Sequence, residues 1–313
     1  LPNFAYNFCA QKIRDRDLAG VDLGSLRAVI NCSEPCRPES QGAFAARFAG
    51  FGLRSGALMT CYAMAENVFA VTQSSLGAEV NVDVIDRDAL QVERKARPAQ
   101  AEDERPLLRM LSNGRPLPNV AVRIVNVAGC DLPERAVGEI VLRSDCMLSG
   151  YYNRPDATSQ AFLPGGWYRT GDLGYLAEGE LYVSGRMKDL IIVGGKNIYP
   201  QDIESAASQV AGVHPGRVVA FGVFDEAAGT EEVVLVAEVD ASDPAEREAL
   251  AEAVRQSVTR NTAIALRRVH LVDAGWVIKT SSGKTARGAN REKYLREAAT
   301  EDTEVKENKE REE

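Results

Sequence analysis

The stretch GRMKDLIIVGGKNIYPQDIE, residues 185–204, places Arg186, Lys188 and Asp189 within four positions. A short apolar run and the pair Gly194–Gly195 follow. Two readings compete: a solvated turn leading into a strand, or a joint between domains that carries chemistry. What lies downstream favours a joint. DLIIVGG reads as a strand, and IESAASQV sets Ile203, Ala206, Ala207 and Val210 on one helical face. RVVAFGVF and VVLVAEV are further strands. DPAEREALAEAVRQSV is a helix with Asp243 as N-cap, Pro244 at its first position and Glu246 completing a capping box. RRVHLVD is a last strand and ANREKYLREA a last helix. A compact α/β pattern of ~125 residues, a normal size for one domain, therefore starts near Arg186.

Upstream the texture differs. LRAVINCSEP (26–35) reads as a buried strand ending in a loop, and residues 38–52 as a helix closed by glycine. ALMTCY (57–62) reads as the next strand and AENVFAVTQ as a short helix, an alternation typical of the edge of a layered α/β sheet. From Ala78 onward NVDVIDRDAL alternates like a strand, and the charged, proline-bearing stretch 93–106 reads as a surface loop. NVAVRIVNV, VGEIVLRS and GELYVSGR are then separated by turn signals, as in a small barrel or ribbon. The expected organisation is 1–185, 186–300 and an acidic, disordered tail at 301–313.

Composition narrows the function classes. Apolar residues make up 45% and charged residues 26%, as in soluble globular proteins. VVLVAEV (233–239) is far too short to cross a bilayer. LPNFAYNFCAQKI lacks the basic-then-apolar order of a secretory signal, so a cytoplasmic location is expected. Net charge is −8, and the last thirteen residues hold seven acids and three bases. An acidic chain without a basic stripe argues against nucleic-acid binding. Six cysteines and two histidines contain no CxxC pair. Mostly buried, reduced thiols are therefore expected rather than a structural zinc site.

Three places hold chemistry-bearing residues, each with a more ordinary reading beside the functional one. KTSSGKTAR (279–287) has the look of a phosphate-binding P-loop but carries Ile278 where that loop needs glycine. What remains is a small-residue loop presenting Lys284, either a mobile positive charge or a surface turn. In GWYRTGDLGYL (166–176), Asp172 can accept hydrogen bonds from paired hydroxyls, as ribose recognition requires, or simply belong to a turn. Glu66 can cap a helix or hold a hard cation such as Mg²⁺, and Tyr62 can stack on a base or fill a core.

Taken in order, CSEP (32–35), CYAMAEN (61–67), GYYNRPDATSQAF (150–162), WYRTGDLGYL (167–176), the 185–204 stretch and KTSSGKTAR resemble the adenylate-forming superfamily. That superfamily comprises acyl- and aryl-CoA synthetases, peptide-synthetase adenylation domains and luciferases. The resemblance runs from about Ala28 to Arg287. Its branch looks like the fatty acyl-AMP ligases, on the opening PNFAY, the GGKNIYPQDIE form and the extra VIDRDAL segment before GRPLPN. The implied fold is α/β: the C-terminal part of a large domain, a layered α/β portion plus a small β-barrel, followed by a small α+β domain.

The resemblance implies that a fatty acid carboxylate attacks the α-phosphorus of ATP, giving acyl-AMP and pyrophosphate. The acyl group then passes to the phosphopantetheine thiol of an acyl carrier protein, or to CoA if the chain is instead an acyl-CoA synthetase. Ser33, Glu34 and Pro35 fall on the adenine loop, and Cys61, Tyr62, Ala63 and Met64 on the next nucleotide-binding run, with Tyr62 stacking. Met64 stands where a threonine usually contacts the α-phosphate, and a thioether cannot replace a hydroxyl donor. Glu66 matches the Mg²⁺ ligand, Asp172 the ribose-binding acid and Arg186 a second ribose or phosphate contact. Lys188 falls on the hinge and Lys284 on the lysine bridging carboxylate and α-phosphate. The superfamily's Ser/Thr/Gly-rich loop ending in Pro-Lys does not occur in this sequence. The expectation is an incomplete portion of such a ligase, impaired by itself, with an N-terminal half truncated or supplied by another chain. Two further readings compete with it: a peptide-synthetase adenylation domain, and a non-catalytic remnant or interaction module.

Overall fold

The computed structural model describes residues 1–100, 107–281 and 283–298. The loop reading at 101–106 and the acidic tail lie outside the described residues. The chain forms two compact units, Leu1–Lys188 and a second beginning at Asp189.

In the first unit, α1 (Asn3–Lys12) and β1 (Val29–Asn31) precede α2 (Pro38–Ala49), which starts on proline and ends at Gly50. Phe44 and Phe48, one helical turn apart, face a core with Tyr6, Leu18, Leu53 and Leu58. Burying each large side chain contributes roughly 1.5–3 kcal/mol. The Tyr6 hydroxyl is satisfied within that core: it donates to the Val29 carbonyl at 2.8 Å. β2 (Leu58–Ala63) pairs in parallel with β1, Asn31 opposite Thr60, so both strands release their following loops on one side.

One expected helix is a strand. Within AENVFAVTQ only Ala65–Asn67 makes a single 3₁₀ turn, and β3 (Ala70–Gln73) then runs antiparallel to β2. Val68, Val71 and Thr72 are β-branched and gain little from a helix. Val71 and Thr72 are fully buried in the ladder instead. β4 (Val82–Asp86) pairs with β5 (Leu107–Leu111), and β6 (Arg115–Pro116) pairs with β3. The strand read across NVDVIDRDAL ends at Asp86, whose carboxylate accepts the Ala89 N–H and starts a helical turn.

The five-stranded sheet of this unit is a curled antiparallel meander. It contains β7 (Val120–Val125), β8 (Gly138–Ser144), β9 (Phe162–Leu163), β10 (Trp167–Ala177) and β11 (Glu180–Arg186). Strand order is β11–β10–β8–β7, with β9 on β10, and α3 (Pro155–Ala161) leads into β9. The two sheets join where Asn113 and Gly114 exchange backbone hydrogen bonds with Leu181.

The second unit holds a hairpin, β12 (Ile191–Val193) and β13 (Lys196–Ile198), then α4 (Pro200–Ala207). β14 (Val213–Asp225) and β15 (Thr230–Val239) pair antiparallel. After α5 (Pro244–Thr262), β16 (Arg268–Val272) adds in parallel to β15. α6 covers residues 287–298. Asp243 caps α5, accepting from the N–H groups of Ala245 and Glu246 at 3.0 and 3.1 Å. Ile203, Ala206 and Ala207 are buried against β14 and β15, with Val210 packed beside them.

All six cysteines are free thiols, but Cys130 and Cys146 are exposed, which corrects the expectation of mostly buried ones. They lie in the turn after β7 and the loop after β8, where no core covers them. His214 pairs with Asp240 at 2.9 Å. Among the described residues no helix is long and apolar enough to cross a membrane.

Candidate active site

The site builds on the first half of β10. Gly171 takes a left-handed φ of +69°, a conformation that side-chain-bearing residues rarely adopt. β10 shifts register against β8 between Arg169 and Leu173. Glu139 supports this bulge from β8: its carboxylate accepts from Arg169 Nη2 at 2.6 Å and from Gly171 N–H at 3.2 Å. Thr170 Oγ1 donates to the Ile140 carbonyl at 2.7 Å and accepts the Asp172 N–H at 3.0 Å. The strand is thereby held so that Asp172 pairs in register with Arg186 across β11.

Asp172 is the centre of a three-residue link. One carboxylate oxygen accepts the Tyr62 hydroxyl at 2.7 Å, and the other lies 3.2 Å from Arg186 Nε. Its side chain is 13% exposed and that of Arg186 56%, so the pair opens to solvent on the arginine side. The Tyr62 ring is buried with Val71, Ile140, Leu142 and Leu181. Burial, and then the neighbouring Asp172 charge, hold the Tyr62 hydroxyl well above the usual tyrosine range. It is thus a permanent donor to the carboxylate.

Ser33, Glu34 and Pro35 follow the end of β1, beside the end of β2. Ligands in open α/β sheets characteristically bind beyond the carboxyl ends of strands. Ser33 has a φ of +72° and is exposed, as is Pro35. Glu34 is half-buried, and its carboxylate accepts the Phe4 N–H at 3.1 Å, in the first turn of α1. Cys61 is buried, and its thiol is pushed up to about 12 by burial and by Cys32. Ala63 is half-buried. Met64 packs against the apolar cluster that contains Tyr62, and contributes no hydroxyl.

Glu66 sits in the 3₁₀ turn after β2. Its carbonyl accepts the Leu148 N–H at 2.8 Å, and its carboxylate accepts the Tyr151 hydroxyl at 3.2 Å. Tyr151 and Tyr168 share a hydroxyl contact of 2.8 Å. Burial, the Tyr151 hydrogen bond and the Glu66 charge together raise the Tyr168 hydroxyl far above its ordinary value. Among the described residues no group of three or more His, Cys, Asp or Glu gathers that could hold a metal. A lone carboxylate still fits Mg²⁺, which keeps several waters and is commonly bound by one or two carboxylates plus substrate phosphates. Glu66 would hold such an ion, whose chemistry is to neutralise phosphate charge.

Asp172, Arg186 and Tyr62 therefore meet, and Glu66 joins a tyrosine pair. Glu139, Thr170, Tyr151 and Tyr168 support the site; the last three lie inside the quoted motifs without having been singled out, and Glu139 lies outside them. The signal that could have found Thr170, Tyr151 and Tyr168 is their place within those motifs, whereas Glu139 had none. Lys188 ends the first unit and is exposed. Lys284, in the second unit, is exposed on a loop where its carbonyl accepts the Thr280 N–H at 2.8 Å and its N–H reaches Thr280 Oγ1 at 3.2 Å.

Similarity to known proteins extends over most of the chain. Residues 2–152 match the AMP-binding enzyme family. The medium-chain-fatty-acid–[acyl-carrier-protein] ligase JamA of Moorena producens is 35% identical over 308 residues, 94% of this chain and 51% of the relative. A structure from work on fatty acyl-adenylate ligases of E. coli and L. pneumophila superposes with a TM-score of 0.88 at 34% identity, covering 96% of this chain and 53% of that one. An L. pneumophila fatty acyl-adenylate ligase in complex with acyl adenylate and pyrophosphate is 30% identical, with a TM-score of 0.59, covering 94% and 52%. The first part of the chain thus matches the AMP-binding enzyme family, and most of its length is similar to fatty-acid ligases and fatty acyl-adenylate ligases. It spans about half the length of the curated relatives it matches.

Proposed function

We propose that this chain forms the nucleotide-recognising and lysine-bearing portion of a ligase that activates a fatty acid as acyl-AMP and transfers it to a carrier-protein thiol. The observation that carries this reading is the Tyr62–Asp172–Arg186 link, in a chain resembling enzymes of that activity. Asp172 would accept ribose hydroxyls, with Arg186 at its open side contacting ribose or phosphate. The loop Ser33–Pro35 and the run Cys61–Met64 would border the adenine, and Glu66 would hold Mg²⁺. Lys284 would lie between carboxylate and α-phosphate, where a positive charge in a water-poor cleft offsets repulsion between two anions. Lys188 would be the hinge, because domain movements are commonly absorbed by a few residues at element ends.

The apolar packing of Met64 points to slow adenylation, since no hydroxyl stands at that position. The acceptor is tested by incubating the protein with ATP, Mg²⁺, a fatty acid and an equimolar mixture of holo carrier protein and CoA. Mass spectrometry then identifies the thioester, and the ratio is readable even at low turnover. Acylated carrier protein as the main product is expected; acyl-CoA as the main product overturns the carrier-protein assignment.

A further inference from the structure

Arg287, the last residue of KTSSGKTAR, lies in the second unit with its side chain only 16% exposed. Its guanidinium bonds Asp189, the first residue of that unit. It also reaches Glu204 Oε1 on α4 at 2.7 Å and donates through Nε to the Ala220 carbonyl on β14 at 2.8 Å. The same Glu204 oxygen accepts the Ala220 N–H at 2.9 Å. Asp189 and Glu204 are themselves 18% and 17% exposed. One planar fork thus gathers two nearly buried carboxylates and a carbonyl, a geometry that lysine cannot reproduce.

The other end of Arg287 is the base of the Lys284 loop. Lys279 bridges to Thr285, and the Ala286 N–H donates to the Ile278 carbonyl at 3.1 Å. Fully buried Asn290 ties that base off: it accepts the Ile278 N–H at 2.8 Å and donates to the Ile278 and Ala286 carbonyls, both at 2.9 Å. The loop that presents Lys284 is therefore closed at its base and bonded, through Arg287, to a residue 98 positions away.

We infer that Arg287 is a positioning residue that fastens the Lys284 loop to Asp189, so that the lysine and the residue following Lys188 move as one body. Its consequence for catalysis rests on the reading of Lys284 given above. The fastening itself is observable without turnover, so failure of either can be told apart.

Amide hydrogen exchange on the full chain tests it, because local opening reports on the contacts that hold each segment. Arg287→Lys is expected to speed exchange at 189–193 and 278–281 by at least about tenfold, with Val233–Val239 unchanged. Asp189→Asn leaves Arg287 and the loop sequence intact, yet is expected to speed exchange at 278–281 as well. A loop unmoved by Asp189→Asn, while 189–193 opens, overturns the coupling. Equal acceleration of Val233–Val239 in both variants also overturns it, since Arg287 would then be only part of the core. Separately, a Lys284→Ala variant with undiminished pyrophosphate exchange would remove the catalytic consequence and leave the fastening standing.

Discussion

Replacing Tyr62 by phenylalanine deletes one oxygen and leaves the buried ring in place, so no cavity forms. What is lost is a 2.7 Å hydrogen bond to a carboxylate that is 13% exposed. A hydrogen bond to a charged group contributes about 1.5–3 kcal/mol net. Arg186 still faces Asp172, but at 56% exposure its share is screened by solvent and contributes well under the deleted bond. The first unit is therefore expected to lose about 2 kcal/mol, the middle of that range. With a urea m-value of about 1–3 kcal/mol/M, the midpoint drops by roughly 1 M. The two tryptophans make this measurable, because Trp167 belongs to the first unit and Trp276 to the second. In a Trp276→Phe background, fluorescence follows the first unit alone. The decisive comparison is a double-mutant cycle with Asp172→Ala. If Tyr62→Phe costs as much without the Asp172 carboxylate as with it, the bond contributes nothing and the derivation fails.

Further outcomes follow from the same geometry. Lys284→Ala is expected to lower ATP–pyrophosphate exchange on the order of 10²–10³-fold, the loss typical of one preorganised electrostatic donor; an unchanged rate removes the lysine from the reaction. Glu139→Gln weakens the support of both Arg169 and Gly171 and should cost about 2 kcal/mol, below the range for breaking a fully buried pair because Arg169 is 35% exposed. Trp167 fluorescence in urea reads that loss, and an unaltered midpoint contradicts it. With its thiol at about 12, Cys61 stays protonated at pH 8, so iodoacetamide should label Cys130 and Cys146 and spare Cys61. Because the folded value lies above the unfolded one, Cys61 contributes stability that is complete below about pH 8.5 and lost as pH rises toward 12. A Cys61→Ser variant whose alkaline unfolding profile matches that of the parent would refute this.

The parts of the molecule legible in the sequence are those decided locally. Asp243–Pro244 starts α5 because a cap and a proline act within one turn, and IESAASQV shows its buried face by spacing alone. AENVFAVTQ reads as a helix yet forms a strand, because its outcome depends on the neighbouring edge of β2 and not on its own pattern. The superfamily motifs point to Asp172, Tyr62 and Arg186 individually. The contact between Tyr62 and Asp172 spans 110 residues and comes from two sheets meeting. Glu139 lies outside the quoted motifs and carries no local signal, since its purpose is to hold a bulge on β10, the neighbouring strand in the sheet. Asp189 lies in the 185–204 stretch and Arg287 ends KTSSGKTAR, and only the fold shows that the two meet.

The central claim is that Asp172, held by Tyr62 and Arg186, recognises the ribose of an adenylate. Calorimetric titration with a non-hydrolysable acyl-sulfamoyl adenosine tests it without requiring turnover. Saturable binding by the unaltered chain is expected, with affinity weaker by roughly 10²-fold in Asp172→Ala, about two lost charge-assisted hydrogen bonds. Equal affinity in both proteins, or no binding by the unaltered chain, would contradict it.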